Sequence, residues 1–298
     1  MRDNIDSSIL HLTIFFLLSS LFFTGCAAKL IQTLPASPQE ESTVSAAFQD
    51  ILENQANCGC CLDAEAEVTL AVDSWMGDRS GTMTGFLQAM QPSYIKFVGV
   101  NPLGQPLFIF ITDGITFQNL QVPKSKVYEG DVRSDAFNKY VPAWFEPEYG
   151  FFWLAGRIKP GSFEIVDIRR DKGKKGFWLQ LQYEGSLYRN MILFDPQESA
   201  ILRHVLIDSK EKPHIDVQYA DYLPLIDETE NTGNKGVEQN NNTGEFVLCR
   251  LPGSIRVASH DNSGQINLEL HSFLPDSVFS EEDFTIGIPS GFKRVEFR

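Results

Sequence analysis

The sequence has few of the residues and motifs that catalysis usually needs. It contains no His-Glu-x-x-His zinc motif, and no glycine-rich phosphate loop follows a predicted strand. The serine within Gly77–Gly81, GDRSG, lacks the spacing of a nucleophile elbow. The histidines of the globular part are scattered over predicted strands and turns: His204, His214, His260 and His271. These absences predict a protein that is not an enzyme.

Positive charge is also scarce. The 298 residues include 25 Lys and Arg against 39 Asp and Glu, which gives a net charge of −14 and a pI near 4.8. This balance argues against nucleic acid as a partner, and against adhesion to anionic lipid through charge alone.

Cysteine is limited to five residues. Cys58, Cys60 and Cys61 form the run CGCC, and Cys249 follows far along the chain. No second Cys-x-x-Cys and no nearby histidine accompany the run, so neither a metal site nor a cofactor is predicted. A long-range disulfide from the run to Cys249, other disulfides and free thiols all remain open, because the sequence does not fix the pairing.

Long apolar runs are restricted to one, Ile9–Phe23, which is too short for a membrane span. Its length and the small residues after it are typical of a secretory signal. The run ends in FTGC, Phe23–Cys26, which resembles a bacterial lipobox. The resemblance implies cleavage before Cys26, a diacylglycerol and an acyl chain on that cysteine, and, with Ala27 next, the periplasmic face of the outer membrane.

Aromatic residues are plentiful, at 12%, and apolar runs of strand length dominate the remaining chain. We expect a tether at 26–41, an amphipathic helix from a Ser42 cap with an apolar stripe on Val44, Phe48 and Ile51, and then alternating strands. Short polar loops between the strands predict an antiparallel meander.

A very apolar segment, Ser134–Gly161, interrupts the meander and predicts two short helices. Strands resume at 163–170, 176–183, 187–194, 200–208 and 213–222. The acidic, Asn-rich stretch 227–245 predicts a disordered insertion, because it has almost no large apolar groups to bury. Further strands at 247–259, 265–272, 284–288 and 292–297 complete one domain over 42–298.

This order of parts resembles the LolB family of outer-membrane lipoprotein receptors, whose fold the carrier LolA shares. The closest local matches are Asn101–Gly104 (NPLG) and Trp153–Gly156 (WLAG). The resemblance implies a mainly β fold, an incomplete antiparallel barrel covered by short helices around an apolar cavity. CGCC, the insertion and the extra last strand depart from the family pattern.

The resemblance also implies a function. Acyl chains of a lipoprotein in transit would lie in the cavity, a LolA-type carrier would deliver them, and the loop Pro102, Leu103 and Gly104 would present its leucine to the outer membrane lipid. The chain would act as a monomer. The candidate acyl contacts are Val68, Leu70, Leu87, Phe97, Phe108, Phe110, Phe117, Phe151, Trp153 and Leu154.

Two other interpretations remain open. The second hypothesis, after the lipid binder, is an interaction module of similar fold, such as an envelope sensor or assembly factor, that uses its cavity or loops to contact protein. A periplasmic hydrolase is the weakest alternative, given the missing motifs. For each aromatic candidate, packing within the protein core competes with a role in binding, and the sequence does not show which face of each strand points inward.

Overall fold

The computed structural model describes residues 30–72, 79–142, 145–224, 249–259, 264–274 and 277–297. Residues Leu34–Arg298 form one compact unit. The predicted signal segment with Cys26 and the predicted insertion at 227–245 lie outside the described residues. In the described part of the chain, no helix is long and apolar enough to cross a membrane.

Within the described residues, fifteen strands form a single sheet. They are β1 (Thr33–Pro35), β2 (Cys61–Val72), β3 (Arg79–Met90), β4 (Tyr94–Val100), β5 (Pro106–Thr112), β6 (Thr116–Gln121), β7 (Lys126–Asp131), β8 (Phe163–Asp171), β9 (Phe177–Tyr183), β10 (Arg189–Asp195), β11 (Ala200–Ile207), β12 (Pro213–Pro224), β13 (Arg250–Ser259), β14 (Gln265–His271) and β15 (Lys293–Glu296). Most of these strand ends lie within two residues of the ends that the alternation of apolar and polar residues predicts.

The sheet consists of two antiparallel meanders joined side by side. β2 to β7 follow one another, β8 to β14 follow one another, and β14 pairs with β2 through partners such as Leu268 and Val68. The strands after the insertion therefore complete the earlier sheet, as predicted. The result is a mainly β fold with one large, curved, unclosed sheet and few short helices, which confirms the predicted fold class.

The last strand departs from the meander, because β15 pairs in parallel with β7. The prediction of a strand at 284–288 is wrong. Residues Glu281–Phe284 form a 3-10 turn, capped by Ser280 and Asp283, which places Phe284 in a small core with Met90 and Ile111. Residues 281–284 are therefore held against the sheet by the buried Phe284 side chain and not by strand pairing.

Helix α1 (Pro38–Asn57) begins five residues before the predicted start. Its cap is Ser37 rather than Ser42: the Ser37 side chain accepts a hydrogen bond from the amide of Glu40, and the Glu40 carboxylate accepts one from the Ser37 amide. Residues 38–41 thus belong to the helix and not to the tether, since Pro38 suits the first helical turn.

The apolar stripe of α1 packs onto the concave face of the sheet. Val44, Phe48 and Ile51 are buried, and the Phe48 ring meets the Phe194 ring of β10 edge-on, with 5.4 Å between centroids. The main core lies between α1, the segment before β8 and this face.

The apolar segment between β7 and β8 is less helical than predicted. Its first part has only a 3-10 turn, Phe137–Lys139, and its second part has another, Pro147–Tyr149, leading into helix α2 (Gly150–Leu154). Gly156, with a φ of +61°, ends the helix in the left-handed conformation that favours glycine.

A disulfide joins Cys58, directly after α1, to Cys249, directly before β13, with 5.6 Å between their Cα atoms. This is the long-range alternative among the pairings that the sequence left open. Cys60 and Cys61 are free thiols.

Candidate functional site

On the face of the sheet that α1 covers, burial falls in one direction along β2, β3, β5 and β14. On β2, Leu62, Ala64 and Ala66 are buried, Val68 is half-buried and Leu70 is 46% exposed. The same decline occurs on β14, β3 and β5, whereas on β4 the half-buried Phe97 lies between Ile95 and Gly99, which are both buried. Because the strands alternate in direction, this decline runs toward one common end of the sheet. We call that end the NPLG rim, after the loop Asn101–Gln105 that it carries.

The incompletely covered side chains form a continuous apolar surface, which we call the open strip. Pairing across the sheet connects its members: Ile266 is opposite Leu70, and Val68 lies between Leu268 and Met83. The Phe97 and Phe108 rings follow, 5.8 Å apart. The open strip consists of Val68, Leu70, Met83, Phe97, Phe108, Ile266 and Leu268.

Two glycines let aromatic rings lie close against the sheet within this strip. Gly85 and Gly99 are directly opposite each other on β3 and β4. A Cβ on Gly85 would lie 2.8 Å from the Phe97 ring, and one on Gly99 would lie 2.7 Å from the Phe108 ring. Any larger residue would therefore displace the rings that form the floor of the strip.

The ten candidate acyl contacts divide between this strip and the protein's own cores. Val68, Leu70, Phe97 and Phe108 are in the open strip, although Val68 and Phe97 also pack against the main core, as the half-buried Leu154 does, and Phe108 packs against a second core. Leu87, Phe151 and Trp153 are buried in the main core, whereas Phe110 and Phe117 pack with Phe137 in a second core. The structure therefore does not bring the ten residues to one cavity wall. Their role as acyl contacts stays a prediction.

Sequence reasoning missed Met83, Ile266 and Leu268. The alternation on β3 and β14 signals these positions, but which end of each strand stays uncovered depends on where α1 and α2 lie.

Trp153 is held by polar contacts in the main core. Its indole N–H donates to Nδ1 of His204 over 3.2 Å, and Nε2 of His204 lies 2.8 Å from Oδ1 of Asn190. This arrangement requires a neutral histidine with its proton on Nε2, because Nδ1 accepts and the amide oxygen also accepts. Burial lowers the pKa of His204 to about 3. Through these two contacts, His204 fixes the orientation of the Trp153 indole.

The loop of the NPLG rim has a fixed shape. Oδ1 of Asn101 accepts hydrogen bonds from the amides of Leu103 and Gln105, at 2.9 and 3.0 Å, and Gly104 has a φ of +77°. Leu103 is 83% exposed at the tip. The loop therefore presents a leucine outward instead of folding it back over the sheet.

A second, more polar hollow of about 420 Å³ lies where the C-terminal segment crosses β5–β7. The carboxylates of Asp113 and Glu129 and the guanidinium of Arg294 line it, and Arg294 forms an ion pair with Glu129. Of the ten acyl candidates only Phe117 reaches it. It is thus a site distinct from the open strip.

Among the described residues, no group of three or more His, Cys, Asp or Glu side chains is placed to hold a metal ion. The free thiols differ in surroundings. Cys60 is exposed, whereas burial and a hydrogen bond with Cys60 raise the pKa of Cys61 to about 11. Arg157, almost fully buried, donates to the carbonyl oxygen of Gly59 beside them over 2.9 Å.

No family model and no curated protein matches the chain. Solved structures are similar in fold. A DUF1329 family protein from Desulfovibrio piger has a TM-score of 0.51 at 11% identity, covering 82% of this chain and 97% of that one. An outer membrane lipoprotein-sorting protein domain from Vibrio parahaemolyticus scores 0.49 at 13% identity, with 80% and 96% covered. A LolA superfamily protein from Nitrosomonas europaea scores 0.48 at 8% identity, with 80% and 97% covered. At these identities the likeness is one of fold alone.

Proposed function

We propose that this chain binds the acyl chains of a lipid or lipoprotein along the open strip. The observation that carries the proposal is the one-directional loss of burial on β14, β2, β3 and β5, which leaves side chains such as Leu70 and Phe108 incompletely covered. A contiguous apolar surface in contact with water is unfavourable, and in soluble proteins it marks a binding site.

The chemistry of the strip suits an acyl chain. Acyl chains offer no hydrogen bonds, so a receptor gains affinity only from apolar area. Aliphatic and aromatic side chains supply about 25 cal/mol for each Å² removed from water. The strip contributes such groups without a charged side chain among its members. Because the strip is partly open, the bound chain would also leave easily, as transfer requires.

The finer parts of the proposal concern location and cargo. A lipid on Cys26 would hold the protein at the periplasmic face of the outer membrane, since two or more acyl chains give stable anchoring. Leu103 would touch that membrane, and a LolA-type carrier would deliver lipoproteins to a monomeric receptor. The fixed Asn101 loop supports this role of Leu103. Its hydrogen bonds keep the loop ordered while the leucine side chain stays exposed.

Binding of a fluorescent long-chain fatty acid tests the proposal. The chain would begin at Ala27, which removes Cys26 and the signal segment and keeps every described element. The Leu70→Glu substitution places a charge in the strip, and we expect it to weaken binding about tenfold or more, because the charge loses water when the acyl chain binds.

Phe86→Glu is the matched control. Phe86 is 48% exposed on the neighbouring strand β3, close to the 46% of Leu70, but it points to the opposite face of the sheet. We expect it to bind the fatty acid like the unmodified chain. Equal losses in both variants, or no saturable binding by the unmodified chain, would refute acyl binding on the strip and favour the envelope interaction module.

A further inference from the structure

A second leucine is as exposed as Leu103. Leu187, in the turn between β9 and β10, is 83% exposed, the same fraction as Leu103. Exposure of this degree removes any role of the side chain in packing. Burial of a leucine side chain is favourable, so two leucines exposed to this degree call for an explanation, although the smaller Val278 is exposed to 85% elsewhere in the chain.

The turn that carries Leu187 is held in place by a polar side chain, as the Leu103 loop is. Oγ of Ser186 donates to the carbonyl oxygen of Tyr188 over 3.0 Å and accepts from the Tyr188 amide over 3.1 Å. Gly185 has a φ of +72°, close to the +77° of Gly104. Both leucines are thus presented by loops whose shape does not depend on them.

Strand direction places both tips at the same end of the sheet. β4 runs toward the NPLG rim and ends before Leu103, and β9 runs toward the same rim and ends before Leu187. Eight neighbouring pairs of antiparallel strands between β9 and β4 fix this relation through their registers. Leu103 therefore lies at the rim between β4 and β5, which carry Phe97 and Phe108 of the open strip, and Leu187 lies at the same rim between β9 and β10.

The described part of the rim is less acidic than the whole chain, which carries −14. The described loops of this rim, with the residues that begin the strands after them, contain more cations than anions. The cations are Lys124, Lys126, Arg189, Lys210, Lys212 and Lys293, and the anions are Glu184, Asp208 and Glu211.

We propose that Leu187 is a second membrane contact, which together with Leu103 seats the NPLG rim on a lipid bilayer. Two isolated aliphatic tips suit a fluid apolar layer, which accepts each one separately. A protein partner would instead select a clustered aromatic or arginine anchor. The choice of a lipid bilayer as the binding partner of the two leucines rests on the proposed function. The contact would turn the NPLG rim, where the open strip ends, toward the bilayer.

Flotation with vesicles of phosphatidylethanolamine and phosphatidylglycerol tests this, again with the chain from Ala27. We expect Leu187→Ser and Leu103→Ser each to lower the partition coefficient about tenfold, the effect of removing one buried leucine side chain. Ile115→Ser is the matched control: Ile115 is 66% exposed in a hairpin turn clamped by Asp113, at the opposite end of the sheet. It should bind vesicles unchanged.

Three results would overturn the proposal: Leu187→Ser binding vesicles as well as the unmodified chain, an equal loss in Ile115→Ser, or self-association that depends on Leu187 without vesicle binding. Fatty-acid binding in solution separates the two claims. If Leu187→Ser loses vesicle binding while the unmodified chain binds no fatty acid, the membrane contact stands and the acyl-binding function fails. If fatty acid binds and vesicle binding ignores Leu187, the function stands and the contact fails.

Discussion

At the scale of single residues, the neutral state of His204 is a condition for the packing of Trp153. The folded pKa of His204, about 3, lies below its ordinary value of 6.5, because burial disfavours the charged form. The unfolded chain therefore binds a proton more readily between these values. This contribution to stability is complete above pH 6.5 and is lost progressively as the pH falls toward 3.

We expect this one group to remove about 2 kcal/mol of unfolding free energy between pH 7 and pH 5. Urea unfolding at both pH values measures the loss. His204→Gln should lose less unfolding free energy between these pH values than the unmodified chain. His271→Gln, a substitution at an exposed position, should lose as much as the unmodified chain. An unaltered pH dependence in His204→Gln would mean that the histidine is protonated in the folded state.

At the scale of elements, the start of α1 is fixed by a capping box and by an ion pair with the sheet. The Arg170 guanidinium of β8 lies 2.7 Å from the Glu40 carboxylate and, with the bonds from Ser37, lowers the pKa of Glu40 to about 2. Removing a serine cap costs about 1 kcal/mol. We therefore expect Ser37→Ala to lower the free energy of unfolding by about that amount.

Ser42→Ala is the matched control, because Ser42 is exposed inside the helix. Its effect in the same urea experiment should stay within about 0.5 kcal/mol, since alanine is a good helix former. If Ser42→Ala proved the more damaging of the two, the helix would begin later than the structure shows.

At the scale of the whole molecule, strand alternation and short polar loops are enough to predict the fold, with the ends of strands such as β8 and β9 placed to within one residue. The start of α1 is harder to predict. Ser37 and Glu40 have the spacing of a capping box in the sequence, but Ser42 lies closer to the apolar stripe and matches the periodicity equally well. Only the observed hydrogen bonds decide between the two serines.

The site is less predictable than the fold. Alternation shows that Ala66 and Val68 share a face of β2, but not where the cover of that face stops. In the sequence, Gly85 and Gly99 indicate only a weakened strand, because glycine has a low strand propensity. Their pairing opposite each other shows that they make room for the Phe97 and Phe108 rings. The extent of the open strip therefore follows from how helices pack on the sheet, which local sequence patterns do not encode.

The Cys58–Cys249 disulfide is the covalent link between the helical cover and the sheet. It joins residues 191 apart in sequence, and it ties the end of α1 to the start of β13. Links across long loops restrict the unfolded chain most, and the loss of a native disulfide costs about 2–5 kcal/mol. We expect Cys249→Ser to lower the free energy of unfolding by that amount, with Cys60→Ser unchanged because Cys60 is an exposed free thiol.

Hydrogen exchange shows where this loss acts. Because α1 covers the buried half of the concave face, Cys249→Ser should speed amide exchange in the last turns of α1 more than in the β2–β3 pair, which twelve consecutive registered residue pairs hold together. Uniform acceleration over both elements would instead mean that the cover and the sheet unfold as one unit. In that case the area of the open strip would be fixed, because α1 could not loosen separately and uncover more of the sheet.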